Sequence, residues 1–198
     1  MFWYENEIKQ LEAKAKLLGT KPKSLFYGSS SIRQWESLEV DLAELQPANL
    51  GFGGSTLAAC VWFFDRVMVG YEPERLIIYA GDNDLGDGRH PEEIFIFFQQ
   101  LAVRVKERFG DIDCYYISLK PSPSRWHLVD QFRFTNSLIE QEIAKHLPNW
   151  KYVNLFEKMI GADAKPRYEL FQHDGLHLSN AGYRLWTDVM TQMLHTEA

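Results

Sequence analysis

The sequence is poor in the features that would carry a chain into a membrane, onto nucleic acid or into a metal cage. It has two cysteines, no apolar run near the roughly 18–20 residues of a membrane-spanning helix, and fewer basic than acidic side chains. Cys60 and Cys114 each sit inside an apolar stretch with no CxxC partner. They are expected as buried free thiols, and a cysteine zinc site is excluded. Twenty-one Lys and Arg against 27 Asp and Glu give a net charge of −6. A nucleic-acid binder usually shows the opposite balance, as does a protein held on an anionic membrane. No nucleic-acid or membrane partner is therefore expected. The N-terminal run MFWYENEIKQLEAKAK carries acids and no apolar core, unlike a signal peptide. It predicts a cytoplasmic protein. Repeats, low-complexity tracts and linkers are also lacking. What is present is a core: 45% of the 198 residues are hydrophobic and 14% aromatic. That suits one domain over residues 1–198, with residues 1–20 as an N-terminal helix packed on the body.

Periodicity orders the chain. Residues 3–18 read as a helix, with Ile8, Leu11, Ala15 and Leu18 on one face and Gly19 as its stop. Short apolar runs at 24–27, 48–50, 75–80, 113–119 and 151–155 read as strands, several of them closed by glycine. Helices fit 56–69 and 91–109, a stretch within 126–147, and about 180–194. Strands alternating with helices of this length require crossover connections and a parallel sheet covered on both faces. The expected fold is α/β and flavodoxin-like: a three-layer α/β/α sandwich whose five-stranded parallel sheet is ordered 2-1-3-4-5.

In such a sheet, ligands bind outside the carboxyl ends of the strands. That rule selects Gly28–Ser31, Gly51–Thr56, Gly81–Asp84 and the Lys120–Trp126 loop, and the segment His173–Ser179 can reach the same edge. These segments offer hydroxyls, glycine backbone amides, a carboxamide, a carboxylate and an imidazole. Acyl transfer to serine needs that set: nucleophile, base, a group orienting the base, and donors for an oxyanion.

In this order and spacing, the segments from Phe26 to Tyr183 resemble the SGNH (GDSL-like) hydrolases. The family's first block reads Gly-Asp-Ser with the nucleophile third, which maps onto Gly28-Ser29-Ser30 and implies Ser30. The second-block glycine maps onto Gly54, and the Gly-x-Asn-Asp block onto Gly81-Asp82-Asn83-Asp84. The closing Asp-x-x-His maps onto Asp174 and His177. The resemblance implies a catalytic set of Ser30, Asp174 and His177. It also implies an oxyanion hole from the Ser30 and Gly54 N–H groups and the Asn83 carboxamide. The implied activity is a serine esterase acting on a short acyl or acetyl ester through an acyl-serine intermediate. The partner would be a small-molecule ester, with no cofactor and no metal, in a monomer or small homo-oligomer. Ser29 stands where the family has aspartate, as in a branch whose first block lacks the acid. That departure is the support for the alternative, a catalytically inactive binding protein of the same fold.

Each motif also has a plainer reading. Ser30 or Ser31 would suit the N-cap of a short helix over 32–36, and three adjacent serines leave the nucleophile open among Ser29, Ser30 and Ser31. Gly51, Gly53 and Gly54, and Asp82-Asn83-Asp84, suit ordinary turns. His173 and His177 resemble a zinc pair only if helical, and Gly175 argues against a helix there. Asp82, Asp84 and Glu93 imitate a calcium loop that lacks its turn glycine. The glycine loop lacks the lysine of a phosphate-binding loop. Ser31, Phe52 and Trp126 are candidate substrate-lining residues, with a packing role as the alternative for Trp126. Trp3 and Tyr4 are expected to pack against the body.

Overall fold

A computed structural model describes residues 1–17 and 21–195, without the side chains of Leu17, Leu194 and His195. Five strands form one parallel sheet: β1 (Ser24–Gly28), β2 (Pro47–Gly51), β3 (Arg75–Tyr79), β4 (Asp113–Ile117) and β5 (Trp150–Val153). The order is β2-β1-β3-β4-β5, as the sequence predicts. The strands read as unbroken apolar runs because both faces are covered. Alternation then divides each run between two cores. Leu25, Tyr27, Leu76, Ile78 and Tyr116 join one core; Phe26, Ile77, Tyr79, Tyr115 and Ile117 join the other.

The first core is closed by α1 (Glu5–Leu17), α4 (Leu57–Val67), α6 (Pro91–Phe109) and α7 (Val129–His146), through Ile8, Phe64, Phe98 and Ile139. The second is closed by α2 (Ser30–Arg33), α3 (Leu38–Asp41) and α8 (Asn180–His195), through Ile32, Leu38 and Trp186. Cys60 and Cys114 are buried free thiols, as expected. No helix among the described residues is long and apolar enough to cross a membrane.

Three departures from the sequence reading have physical causes. The N-terminal helix begins as a 3-10 turn over Phe2–Tyr4 and becomes α1 only at Glu5; Leu18 and the Gly19 stop lie outside the described residues. The DND segment, read as a turn, forms a short helix, α5 (Asp82–Gly86). Its polar residues suit a turn locally, but distant partners hold their side chains and override that preference. Strand β4 stops at Ile117 because the Asn136 carboxamide takes over both backbone groups of Leu119, accepting from its N–H at 2.8 Å and donating to its carbonyl at 3.1 Å.

Candidate active site

The middle of the sheet sets the first part of the site. β1 lies between β2 and β3, so the residue after it emerges inside the carboxyl edge of the sheet rather than at its rim. Gly28 ends the strand with φ +141°, and a Cβ there would lie 1.9 Å from the Tyr79 carbonyl oxygen. Glycine is required for the chain to turn at that point. Ser29 follows, fully buried, its N–H donating to the Tyr79 carbonyl at 2.9 Å. Ser30 and Ser31 open α2 rather than capping a later helix, and the N-cap residue Ser29 makes no side-chain cap. Ser31 is buried, with its carbonyl accepting from the Tyr183 hydroxyl at 3.0 Å. Burial therefore separates the three serines: Ser30 alone reaches the surface.

The Ser30 Oγ lies 3.1 Å from His177 Nε2. His177 Nδ1 lies 2.6 Å from Asp174 Oδ2. The other carboxylate oxygen of Asp174 accepts from the backbone N–H groups of Leu176 (2.9 Å) and His177 (3.0 Å), so the turn that carries the histidine also anchors its partner. Partial burial alone would raise the Asp174 carboxyl. The hydrogen bonds from the His177 ring and from those two N–H groups outweigh it and bring the carboxyl down to about 2. An ionised carboxylate at Nδ1 selects the tautomer with its proton on Nδ1 and its Nε2 lone pair toward Ser30. His173 is exposed, and the 173–177 segment is a turn, so the two histidines do not share a helix face.

In α5, just beyond the carboxyl end of β3, the Asn83 side chain is held from both ends. Its Nδ2 donates to the Ser55 carbonyl at 3.0 Å, and its Oδ1 accepts from Arg125 Nη2 at 2.9 Å. Arginine only donates, so the carboxamide oxygen faces it and the NH₂ faces the Ser55 carbonyl. One of the two NH₂ hydrogens is then uncommitted. Arg125 also donates to the Asp82 carbonyl at 2.9 Å. The Asp82 carboxylate pairs with Lys120 at 2.9 Å and with Arg125 at 3.4 Å. Burial would raise the Asp82 carboxyl, but these two cations hold it below its ordinary value; burial pushes the Lys120 amine down, against the pull of Asp82. Among the described residues, no acceptor meets the N–H of Ser30 or of Gly54. At Gly54, φ is +64° and a Cβ would meet nothing within 4 Å. Its backbone conformation therefore calls for glycine, rather than crowding by the protein.

The carboxylates of the imitation calcium loop are all taken up by protein groups, and Arg89 lies between two of them, 3.8 Å from Asp84 and 3.7 Å from Glu93. Asp82 takes Lys120, Glu93 accepts from the His90 N–H at 2.8 Å, and Asp84 accepts from the Leu57 N–H at 2.6 Å where α4 begins. Asp84 is fully buried, and its other oxygen has no hydrogen-bond partner among the described residues, with the Arg89 guanidinium near it at 3.8 Å. Burial raises its carboxyl to about 6 despite the helix N–H groups. The folded chain thus binds that proton more tightly than the unfolded chain, whose carboxyl titrates near ~3.9. The stability this contributes is complete below about pH 4 and is lost as pH rises through about 6. A shift of two units is worth about 3 kcal/mol. Between roughly pH 4 and pH 7, wild type should lose about that much stability relative to Asp84→Asn, as read from denaturant midpoints. Parallel profiles for the two proteins would contradict this.

The structure does not bring every candidate to the edge. Phe52 turns inward, with its ring packed on Tyr4, Tyr27 and Phe63, and Ser31 is buried as described. Neither side chain lines the cleft. Trp126 is half-buried on the 3-10 turn Pro123–Leu128, which also carries Arg125. Tyr4 packs against the body, but Trp3 is 73% exposed. Beside Gly54, a cleft of about 580 Å³ is lined by Trp3, Tyr4, Gly53, Gly54, Thr56 and Arg89, together with Met1 and Asp87. Arg125 and Lys120 carry no motif of their own. Their only signal in the sequence is membership of the loop that follows the fourth strand.

The model of the GDSL-like Lipase/Acylhydrolase family matches residues 24–185. No curated protein sequence matches the chain. Among solved structures, a Streptococcus pneumonia protein named for platelet activating factor superposes with TM-score 0.84 at 18% identity, over 97% of this chain and 94% of that one. A GDSL-like lipase from Bacteroides thetaiotaomicron gives 0.77 at 18%, over 96% and 98%. A lipase/acylhydrolase from Enterococcus faecalis gives 0.70 at 19%, over 88% and 96%.

Proposed function

The chain belongs to the GDSL-like lipase/acylhydrolase family, and from that premise we propose that it is a serine esterase with Ser30 as its nucleophile. The observation that carries the reading is the continuous line from the Ser30 Oγ through His177 to Asp174, at 3.1 and 2.6 Å. A serine hydroxyl attacks an ester only when a base takes its proton. His177 Nε2 is within reach of that proton, and Asp174 stabilises the imidazolium that forms. Attack on the carbonyl carbon places negative charge on the carbonyl oxygen. The Ser30 N–H, the Gly54 N–H and the free Asn83 N–H are the donors for it. The imidazolium then protonates the departing alkoxide. Water attacks the acyl-serine by the same route in reverse and releases the acid.

The substrate class proposed is the one the family resemblance suggests, a short acyl or acetyl ester. The cleft beside Gly54 adjoins one of the proposed oxyanion donors, which supports it as the side on which part of the ester would lie. Trp126 shares a turn with Arg125, which supports keeping it as a candidate wall of the substrate site. The experiment is hydrolysis of p-nitrophenyl acetate, butyrate and octanoate, each with and without a chelator. The expected result is turnover, fastest with acetate and indifferent to chelator. Turnover abolished by chelator and restored by zinc would replace the serine mechanism with a metal-dependent one. Failure on every ester, with a ligand still bound tightly, would favour the inactive binding protein.

A further inference from the structure

Residues 1–23 lie outside the family match, yet they touch the loop that carries Gly54 at two points. We propose that Tyr4 and Glu7 are positioning residues that hold the Gly54 N–H in its oxyanion-binding orientation. The proposal rests on the reading of Gly54 as an oxyanion donor.

The Tyr4 hydroxyl donates to the Gly54 carbonyl at 2.9 Å, and the Gly53 N–H donates to Glu7 Oε2 at 2.8 Å. The Gly54 N–H belongs to the peptide unit between those two groups. The units on either side of it are pinned from outside the loop, and the N–H between them is left free. The loop needs such support. Two adjacent glycines have no side chains to pack, a Cβ at Gly54 would find no neighbour, and glycine backbone is the least restrained of all.

The two side chains are themselves fixed. The Tyr4 ring packs edge-on against Phe52 and Phe63, with centroids 5.4 and 6.1 Å away. Glu7 also lies 3.6 Å from Arg33, at the end of the same short helix that Ser30 begins. One carboxylate therefore ties the glycine loop to the nucleophile's helix. Helix α1 is clamped to α4 by Arg66, which pairs with Glu5 at 2.8 Å and Glu12 at 2.7 Å. Catalytic donors act best when their geometry is set before the charge develops, and small displacements are costly. The direct contacts of Tyr4 and Glu7 supply that rigidity to the glycine loop, and the α4 clamp is not needed for it.

The test compares wild type, Tyr4→Phe, Glu7→Gln and Glu12→Gln in p-nitrophenyl acetate hydrolysis. It also measures affinity for a trifluoromethyl ketone, which adds to the serine and carries an oxyanion. Deleting an oxyanion donor outright costs about 10²–10³ in rate, so loosening one while keeping it should cost about tenfold. Tyr4→Phe should lower kcat about tenfold, leave KM within about twofold, and weaken the ketone by the same factor as kcat. Glu7→Gln should move the same quantities in the same direction, and it carries the test alone if Tyr4→Phe does not fold. Glu12→Gln, which weakens only the clamp on α4, should leave kcat unchanged. Wild-type kcat and ketone affinity in both Tyr4→Phe and Glu7→Gln would overturn the proposal, as would losses confined to KM or matched by Glu12→Gln. A wild type that neither turns over the ester nor binds the ketone would overturn the esterase reading itself, and this one with it.

Discussion

Ser30→Ala is expected to lower ester turnover by about 10³-fold or more, because removing the nucleophile of a coupled catalytic set usually costs at least that. The change should leave the fold intact. Ser30 reaches the surface at the start of α2, its side chain serves no cap, and its partner is His177 rather than the core. A loss of turnover with an unchanged unfolding curve is therefore the expected pair of results. The neighbouring serines supply the internal control. Ser29 and Ser31 are buried, and neither side-chain oxygen has a hydrogen-bond partner among the described residues. Ser31→Ala should retain turnover, with at most a small change in stability. Full activity in Ser30→Ala would remove the serine mechanism at this position.

The second large effect is structural, at the buried ion cluster behind Asn83. Lys120 is 1% exposed and its partner Asp82 only slightly more, with 2.9 Å between the charges. The Lys120 ammonium also lies 3.1 Å from the Tyr79 hydroxyl and over its ring. Lys120→Met removes this cation and leaves the carboxylate with Arg125 at 3.4 Å. Stranding one member of a buried pair typically costs 3–5 kcal/mol, and the remaining arginine places the expected loss near ~3 kcal/mol. The double substitution Asp82→Asn with Lys120→Met should recover part of that loss, since an uncharged pair leaves no buried ion. Activity should fall as well, because Arg125 then serves Asp82 at the expense of Asn83 Oδ1. Denaturant midpoints for the two variants decide the matter. A loss below about 1 kcal/mol in Lys120→Met would mean that the pair contributes little.

The sequence exposes the strands because parallel strands buried on both faces become short apolar runs that end abruptly in polar or glycine residues. Arg75–Tyr79 and Asp113–Ile117 are examples; the crossover rule makes the sheet parallel, and the five-strand flavodoxin-like pattern supplies its order. It exposes less where long-range partners override local preference. The Asp82–Gly86 segment has the composition of a turn and is a helix because Lys120, Arg125 and the start of α4 hold its acids. Side-chain direction is equally hidden. Phe52 adjoins the candidate glycines in sequence but follows β2 with its ring pointing inward, so nearness along the chain did not put it in the cleft. Asp174 and His177 stand out because they share one turn. Arg125 and Tyr4 do not, because each acts on a residue about 40 or 50 positions away and nothing local marks the pairing.

In the proposed mechanism, one hydroxyl of the Gly-Ser-Ser-Ser run is an activated nucleophile. The most direct measurement is to label the wild-type protein with a fluorophosphonate and map the adduct by peptide mass spectrometry. One adduct per chain is expected, on Ser30, abolished by His177→Ala. An adduct on another residue, or no adduct in a protein that hydrolyses esters, would contradict it.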